Sequence, residues 1–197
     1  MPSQIIEKLG IEFDELHPRY LQLIEKALEI AGNGFFTMPG STKYHHNYKG
    51  GLKDHSVDVN KLSMIMANHF QSKVDTNVVD VGSTLHDVGK ARHYQDNILK
   101  SGAISEKVPY KRTDISKQLE HIGEGFLIIQ EAAKELKFPK AKLNPILHVV
   151  GSHHGDVRRG WGSLIDPQTP EAHIVHHADM LSSRIQPKPE KGKAKRR

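Results

Sequence analysis

Histidine and aspartate residues recur along the chain at intervals that match one helix plus one loop. Four steps of 31, 34, 32 and 26 residues connect His55 to His86, Asp87 to His121, His121 to His153, and His153 to Asp179. These polar residues neighbour apolar helix positions, where an ionisable side chain is costly unless it is paired or bound to a metal. The spacing therefore constrains the fold, because it predicts four or five helices that each direct one ligand into a shared centre.

Apolar residues at helical spacing predict an all-α domain of about six or more helices. We expect helices over residues 17–31, 52–70, 77–88, 114–136, 145–153 and 170–185. Asp114 is the expected N-cap of the fourth helix, and Pro145 and Pro170 are expected to begin the fifth and sixth. The apolar stripe of the fourth helix comprises Ile115, Leu119, Ile122, Phe126 and Ile129. Loops are expected at 33–51 and 155–169, with room for a short hairpin in the irregular segment 94–113.

The net charge of +5 is concentrated at the C-terminal end of the chain. Residues 187–197 contain six Lys or Arg and one Glu, which leaves 22 basic and 22 acidic residues in 1–186. The body of the domain is therefore neutral, and its charge does not indicate a nucleic-acid-binding face. We expect residues 187–197 to form a disordered basic tail that binds polyanions weakly and in a salt-dependent manner.

The chain contains no cysteine. Disulfides, thiolate metal sites and cysteine nucleophiles are therefore excluded, and a bound metal would have nitrogen and oxygen donors. No run of about 18 apolar residues predicts a membrane span, and the N-terminal residues lack the pattern of a secretory signal. We expect a cytoplasmic protein without a membrane partner.

Several motifs together resemble the H…HD…D signature of the HD-domain superfamily of metal-dependent phosphohydrolases. The residues that match this signature are His55, His86-Asp87 and Asp179. HDVGK at 86–90 is similar to the HDxGK segment of the family. QLEHIGEG at 118–125 and SHHGD at 152–156 resemble the additional histidine motifs of its two-metal branch. Within the superfamily, the likeness is strongest to the HD domain of bacterial 3′-to-5′ exoribonucleases of the CMP-binding-factor type.

This resemblance implies an HD-domain helical bundle over residues 35–186, with residues 1–34 as an N-terminal helical segment packed on its core. The exoribonucleases carry an OB-type nucleic-acid domain before their HD domain. Residues 1–34 are too few for an OB fold, so processive RNA degradation is not expected from this chain.

The resemblance also implies a central site for two divalent transition metal ions, for which Mn, Fe, Co, Ni or Zn suit the imidazole and carboxylate donors. The implied metal ligands are His55, His86, Asp87, His121, His153, His154 and Asp179. Asp87 would bridge the two ions. His153 is the favoured ligand of its pair, and His154 could ligate as well or bind phosphate.

Asp87 and Lys90 are the implied catalytic residues. Lys90 lies four positions after His86, which directs it over the same helix face, so it could hold a phosphate oxygen of the substrate. The other candidate substrate-binding residues are His45, His46, Arg159 and Trp161. Trp161 could stack on a base or cover the edge of the core.

The implied reaction is hydrolysis of a phosphate ester by a metal-activated hydroxide. The expected substrate is a nucleotide or a short single-stranded nucleic acid. Two alternatives stay open at this point: a di-iron HD-type oxygenase with the same ligand set, and a catalytically silent nucleotide-binding domain.

Overall fold

Helices dominate the fold, which confirms the prediction of an all-α domain. The computed structural model describes residues 3–42, 45–159 and 163–185. The helices within these ranges are α1 Gln4–Leu9, α2 Pro18–Ala31, α3 Gly34–Thr37, α4 Gly51–Phe70, α5 Thr76–Leu85, α6 Asp114–Glu135, α7 Lys140–Ser152 and α8 Pro170–Ile185. Short 3-10 segments cover Gln71–Lys73, Val88–Arg92 and Val157–Arg159. Strands β1 Tyr94–Asp96 and β2 Tyr110–Arg112 pair as an antiparallel hairpin within the segment where one was anticipated.

Helix α2 begins and ends where its sequence predicts. His17 caps it, because the Nδ1 atom of that ring accepts a hydrogen bond from the backbone N–H of Arg19 at 3.2 Å. Pro18 occupies the first helical position, where its missing N–H costs nothing. Gly32 ends the helix with a φ of 74°, a conformation that glycine adopts without strain.

The apolar core runs through the whole described structure. Helix α4 packs on α5 and α8, and α7 packs on α5, α6 and α8. Ile6 of α1 and Leu23 of α2 are buried in the same core as Leu52, Val149 and Val175. The N-terminal helices therefore contribute to the core that supports α4 to α8.

Two helix boundaries differ from the sequence-based expectation, and one helix was not expected. Helix α5 ends at Leu85 rather than near Val88, and the chain continues in a 3-10 segment. Helix α7 begins at Lys140, so Pro145 lies inside it. The proline leaves the carbonyl of Ala141 without its helical donor, and this is tolerated because Ala141 is exposed and its carbonyl can bind water. Helix α3 forms inside the predicted loop 33–51.

The expected apolar stripe of α6 is wrong in its first two members. Ile115 and Leu119 are 50% and 47% exposed, because Glu120 interrupts the helix with a φ of 49° and a ψ of 165°. The turn before this break is bound by Arg112, whose guanidinium contacts Ser116 and Glu120. The N-cap is Thr113 rather than Asp114, and its Oγ1 accepts from the N–H of Ser116.

Candidate metal centre

Asp87 lies at the middle of the polar cluster that the sequence predicts. It lies two residues beyond the end of α5 and is almost completely buried. Its Oδ2 atom lies 3.5 Å from His55 Nε2 and 3.4 Å from His86 Nε2. Its Oδ1 atom lies 3.5 Å from His121 Nε2 and 3.6 Å from His153 Nε2. The two oxygens of one carboxylate thus face two different pairs of histidines.

Two groups of potential metal ligands surround Asp87. The first group consists of His55, His86 and Asp179. His55 comes from α4, His86 from the end of α5 and Asp179 from α8. His55 Nε2 lies 3.1 Å from Asp179 Oδ1 and 3.2 Å from His86 Nε2. One potential ligand atom from each residue lies within 4.8 Å of the others, which is close enough for a single metal ion.

The second group consists of Asp87 itself, His121, His153 and His154. Its potential ligand atoms also lie within 4.8 Å of one another. Among the described residues, three of its buried atoms have no hydrogen-bond partner: Asp87 Oδ1, His121 Nε2 and His153 Nε2. Such atoms are costly in a protein interior. Nitrogen and carboxylate oxygen donors are the ligands that divalent transition metals prefer, so these residues fit a metal ion.

Backbone and hydroxyl groups orient the imidazole rings. The Nδ1 atoms of His86 and His153 donate to the carbonyls of Ser83 and Val150, each at 2.7 Å. His55 Nδ1 lies 3.3 Å from Ser182 Oγ. These contacts direct each Nε2 atom towards the centre, as second hydrogen bonds do in known metal sites.

The charge states of His55, His121 and Asp87 suit metal binding, whereas at His86 burial lowers the pKa but the charge of Asp87 outweighs it and raises the pKa above its ordinary value. Burial lowers the pKa of His55 and holds the pKa of His121 well below its usual value, so both rings favour the neutral, ligating form. Burial also opposes ionisation of Asp87, but the charges of Lys90 and His86 outweigh it and hold the pKa of Asp87 well below its usual range. The central carboxylate therefore stays ionised.

Lys90 lies in the centre, as its place in the sequence predicts. Its Nζ atom donates to Asp87 Oδ2 at 2.6 Å and to the carbonyl of Gly40 at 3.1 Å. Burial lowers the pKa of this amine, but Asp87 raises it further, so the net direction is upward. Lys90 therefore carries a positive charge beside the central carboxylate.

His45, His46 and His154 surround the centre. The ring of His45 lies 4.7 Å from that of His55, and His45 Nδ1 lies 3.2 Å from His46 Nδ1. His46 is buried, and its Nε2 atom lies 3.3 Å from Asp58 Oδ2. The ring of His154 lies 5.0 Å from that of His121, and burial lowers the pKa of His154 to about 3. Each of the three is close enough to act on the centre or on what it binds.

Two predicted substrate-binding residues could not be placed. Trp161 lies outside the described residues, and the side chain of Arg159 does too. Their assignment stays a prediction.

Sequence reasoning gave no role to His93, which lies at the edge of the centre. Its ring lies 5.9 Å from that of His121 and 4.8 Å from that of Tyr94. His93 Nδ1 is buried without a hydrogen-bond partner among the described residues. The only signal in the sequence is its position six residues after Asp87, which does not by itself distinguish it from a core histidine.

Close packing holds the two groups together. A side chain at Gly89 would overlap the backbone carbonyl of His121, so only glycine allows the segment after Asp87 to approach α6 this closely. Arg92 secures the same contact, since it donates to Glu124 Oε1 at 3.0 Å and also to the carbonyl of Ile30. This contact therefore allows α6, which carries His121, to approach the segment after Asp87.

Comparisons with known proteins agree with the motifs. A family model described as HD domain matches residues 52–184. The 3′-5′ exoribonuclease YhaM of Bacillus licheniformis is 29% identical over 173 residues, which cover 88% of this chain and 51% of that protein. The same enzyme of Shouchella clausii is 28% identical over 185 residues, with 93% and 54% covered. The chain thus spans about half the length of the curated relatives it matches.

A solved structure, the HD domain of the phosphodiesterase PgpH from L. monocytogenes, is 17% identical, with a TM-score of 0.42. The alignment covers 88% of this chain and 76% of that one. Within the described ranges, no helix is both long and apolar enough to cross a membrane.

Proposed function

Because the chain belongs to the HD-domain family, we propose that it is a metal-dependent phosphohydrolase that cleaves a phosphate ester of a nucleotide or short oligonucleotide. The position of Asp87 is the observation that carries this proposal. One ionised carboxylate directs its two oxygens to two separate histidine pairs, and this is the arrangement that a bridging ligand between two ions requires.

The first group together with Asp87 would hold the first ion. The second group would hold the second ion, and both His153 and His154 are within reach of it. Mn, Fe, Co, Ni and Zn all suit these donors. Two such ions lower the pKa of water and stabilise negative charge on the attacking and leaving oxygens of a phosphate ester.

The residues around the centre supply the other requirements of the reaction. Lys90 has three N–H donors, of which two are directed to Asp87 and Gly40 within the described part of the chain, so the third can be donated to a phosphate oxygen. His45 lies against the ring of His55 and can donate to the same phosphate group. The burial of Asp87 and His55 excludes bulk water, which strengthens each of these electrostatic contacts.

The substrate class is inferred from the relatives. Both carry the name 3′-5′ exoribonuclease, so a short single-stranded RNA or a nucleotide derived from it is the proposed substrate. The chain matches only about half of each relative, so the proposal concerns cleavage of the ester rather than processive degradation. The proposal also divides the chain into an N-terminal segment 1–34, an HD domain 35–186 and a tail 187–197. It places the protein in the cytoplasm. The tail, which lies outside the described residues, would bind polyanions weakly.

An assay of purified protein tests this function. We expect turnover of bis(p-nitrophenyl) phosphate, nucleotides or short single-stranded RNA once Mn²⁺ is added, and loss of turnover in His86→Ala. His69→Ala is the matched control, since His69 is an exposed histidine of α4 outside the centre. Failure to hydrolyse any phosphate ester in a folded, metal-loaded sample would contradict the proposal. Oxygen consumption with Fe²⁺ would support a di-iron oxygenase instead.

A further inference from the structure

A cavity of about 270 Å³ lies between the segment that precedes α4 and the β-hairpin. We call it the hairpin cleft, and the residues that matter to its chemistry are Met38, Lys49, Asp96, Ile104 and Tyr110. None of them is among the proposed metal ligands. The cleft is therefore separate from the donors of the centre.

The hairpin connects this cleft to the metal centre. Asp96 pairs with Tyr110 in the hairpin, and Tyr94 pairs with Arg112, so all four lie on one face of the two strands. Tyr94 is at the inner end, because the ring of the preceding His93 packs against both Tyr94 and His121. Asp96 lies two residues further out, a rise of about 7 Å along the strand.

The opposite wall is connected to the centre as well. Met38 lies two residues before Gly40, whose carbonyl accepts a hydrogen bond from Lys90 Nζ. The carbonyl of Met38 accepts from the N–H of Leu52, at the start of the helix that carries His55. Both walls of the hairpin cleft are thus connected through short segments to Lys90 and its partner Asp87.

The chemistry of the cleft matches a nucleobase. Tyr110 offers an aromatic face, and Met38 and Ile104 add apolar surface on which a flat ring can pack. Asp96 can accept a hydrogen bond from an exocyclic amino group, as carboxylates do from cytosine N4. Lys49 adds a donor for a base carbonyl or a phosphate oxygen.

We propose that the hairpin cleft is a nucleobase subsite, which holds a base of the substrate while its phosphate ester lies at the metal centre. The proposal rests on the proposed function, because it assumes a substrate that carries a base next to the ester. It assigns to Tyr110 and Asp96 a role in substrate recognition, and no part in the chemical step.

Tyr110→Ala tests the subsite, with Tyr110→Phe as the variant that keeps the ring. We expect Tyr110→Ala to raise KM for a trinucleotide about tenfold with little change in kcat, since stacking on one aromatic ring has about this effect. Tyr110→Phe and Phe70→Ala should behave as the wild type, because Phe70 is exposed at the end of α4, outside the cleft. A trinucleotide analogue that lacks the base next to the cleaved ester should show no difference between the variants.

A binding measurement without metal separates this inference from the proposed function. We expect a trinucleotide labelled with 2-aminopurine to lose fluorescence on binding to the wild-type protein in EDTA, and to keep it with Tyr110→Ala. If the 2-aminopurine fluorescence is quenched but no metal supports hydrolysis of the trinucleotide, the proposed function is refuted and the nucleobase subsite is still supported. Turnover with equal KM for all variants would overturn the subsite.

Asp96→Asn provides a second test that does not depend on the aromatic ring. Asp96 is exposed on a strand edge, so the substitution should leave the fold intact. We expect the preference in kcat/KM for cytidine over uridine at the subsite to fall at least threefold, because the amide can also donate to the uracil carbonyl. An unchanged base preference would contradict the assignment of Asp96.

Discussion

The two groups of donors share Asp87 but differ in how their atoms are satisfied. In the first group, His55 Nε2 lies 3.1 Å from Asp179 Oδ1 and 3.2 Å from His86 Nε2, so each atom faces a partner within the group. In the second group, the atoms Asp87 Oδ1, His121 Nε2 and His153 Nε2 have no hydrogen-bond partner among the described residues. Asp87 Oδ1 faces His121 Nε2 at 3.5 Å and His153 Nε2 at 3.6 Å, so the second group is more loosely compensated without a metal than the first.

The energetic consequence follows from burial. A buried polar atom without a partner costs about 1–3 kcal/mol. The three atoms of the second group face one another at 3.5 and 3.6 Å, at or beyond the limit of a hydrogen bond, so a metal ion bound there relieves more of this cost than one bound in the first. Loss of the second ion should therefore destabilise the protein more than loss of the first.

Asp87→Asn should have the largest effect, because it removes the charge that both groups share. We expect turnover to fall by about 10³-fold or more, and the metal content after gel filtration to fall at both positions. Turnover kinetics and elemental analysis of the same sample check this. A variant that keeps its full metal content and activity would remove the basis of the comparison.

His121→Ala should affect the second group alone. We expect one ion per chain to remain and turnover to fall about 10²-fold, since a ligand of one ion is lost and the first group is intact. Elemental analysis after dialysis measures the remaining ion. Loss of both ions would show that the groups bind metal as one unit.

Asp80 and Asp87 are both buried aspartates, but only Asp87 has cationic neighbours. Burial raises the pKa of Asp80 from 3.8 to about 6, against a hydrogen bond from Asn60. Between these values the unfolded chain has lost this proton and the folded chain still holds it, so stability falls as pH rises through that window. Asp80→Asn removes this dependence, and we expect it to be up to about 3 kcal/mol more stable than the wild type at pH 7.

Urea unfolding at several pH values from 4 to 7 measures this difference, and turnover serves as the control. The variant should keep its activity, because Asp80 belongs to neither group. Parallel stability curves for the variant and the wild type would contradict the assignment of Asp80 as a destabilising carboxylate.

Gly89→Ala should have the smallest effect on stability and a selective effect on metal binding. The added methyl group would overlap the carbonyl of His121 and move α6 away from Asp87, at a cost of about 2 kcal/mol. We expect the affinity for the second ion to fall while the first ion is retained, as measured by calorimetric titration with Mn²⁺. Equal weakening of both ions would show that Gly89 supports the fold in general and not the spacing of the groups.

Much of the centre could be predicted from residue spacing. His55, His153 and Asp179 each lie three or four positions from an apolar core residue, and this periodicity places them inside the bundle. The predicted apolar stripe of α6 is wrong at Ile115 and Leu119, because helical periodicity cannot show a break in the helix such as that at Glu120.

Other features depend on tertiary contacts that leave no pattern in the sequence. The early end of α5 accompanies the packing of Gly89 against α6, which involves residues more than 30 positions apart. The orienting partners of His86 and His153 are backbone carbonyls, which any residue type provides. The hairpin cleft was also beyond prediction, because it depends on how the hairpin packs beside the segment before α4.

Electron paramagnetic resonance of the Mn²⁺-loaded protein tests most directly whether two ions share Asp87. We expect a magnetically coupled pair in the wild type and the spectrum of an isolated Mn²⁺ ion in His121→Ala. An isolated-ion spectrum in the fully loaded wild-type protein would show that the two ions do not share Asp87.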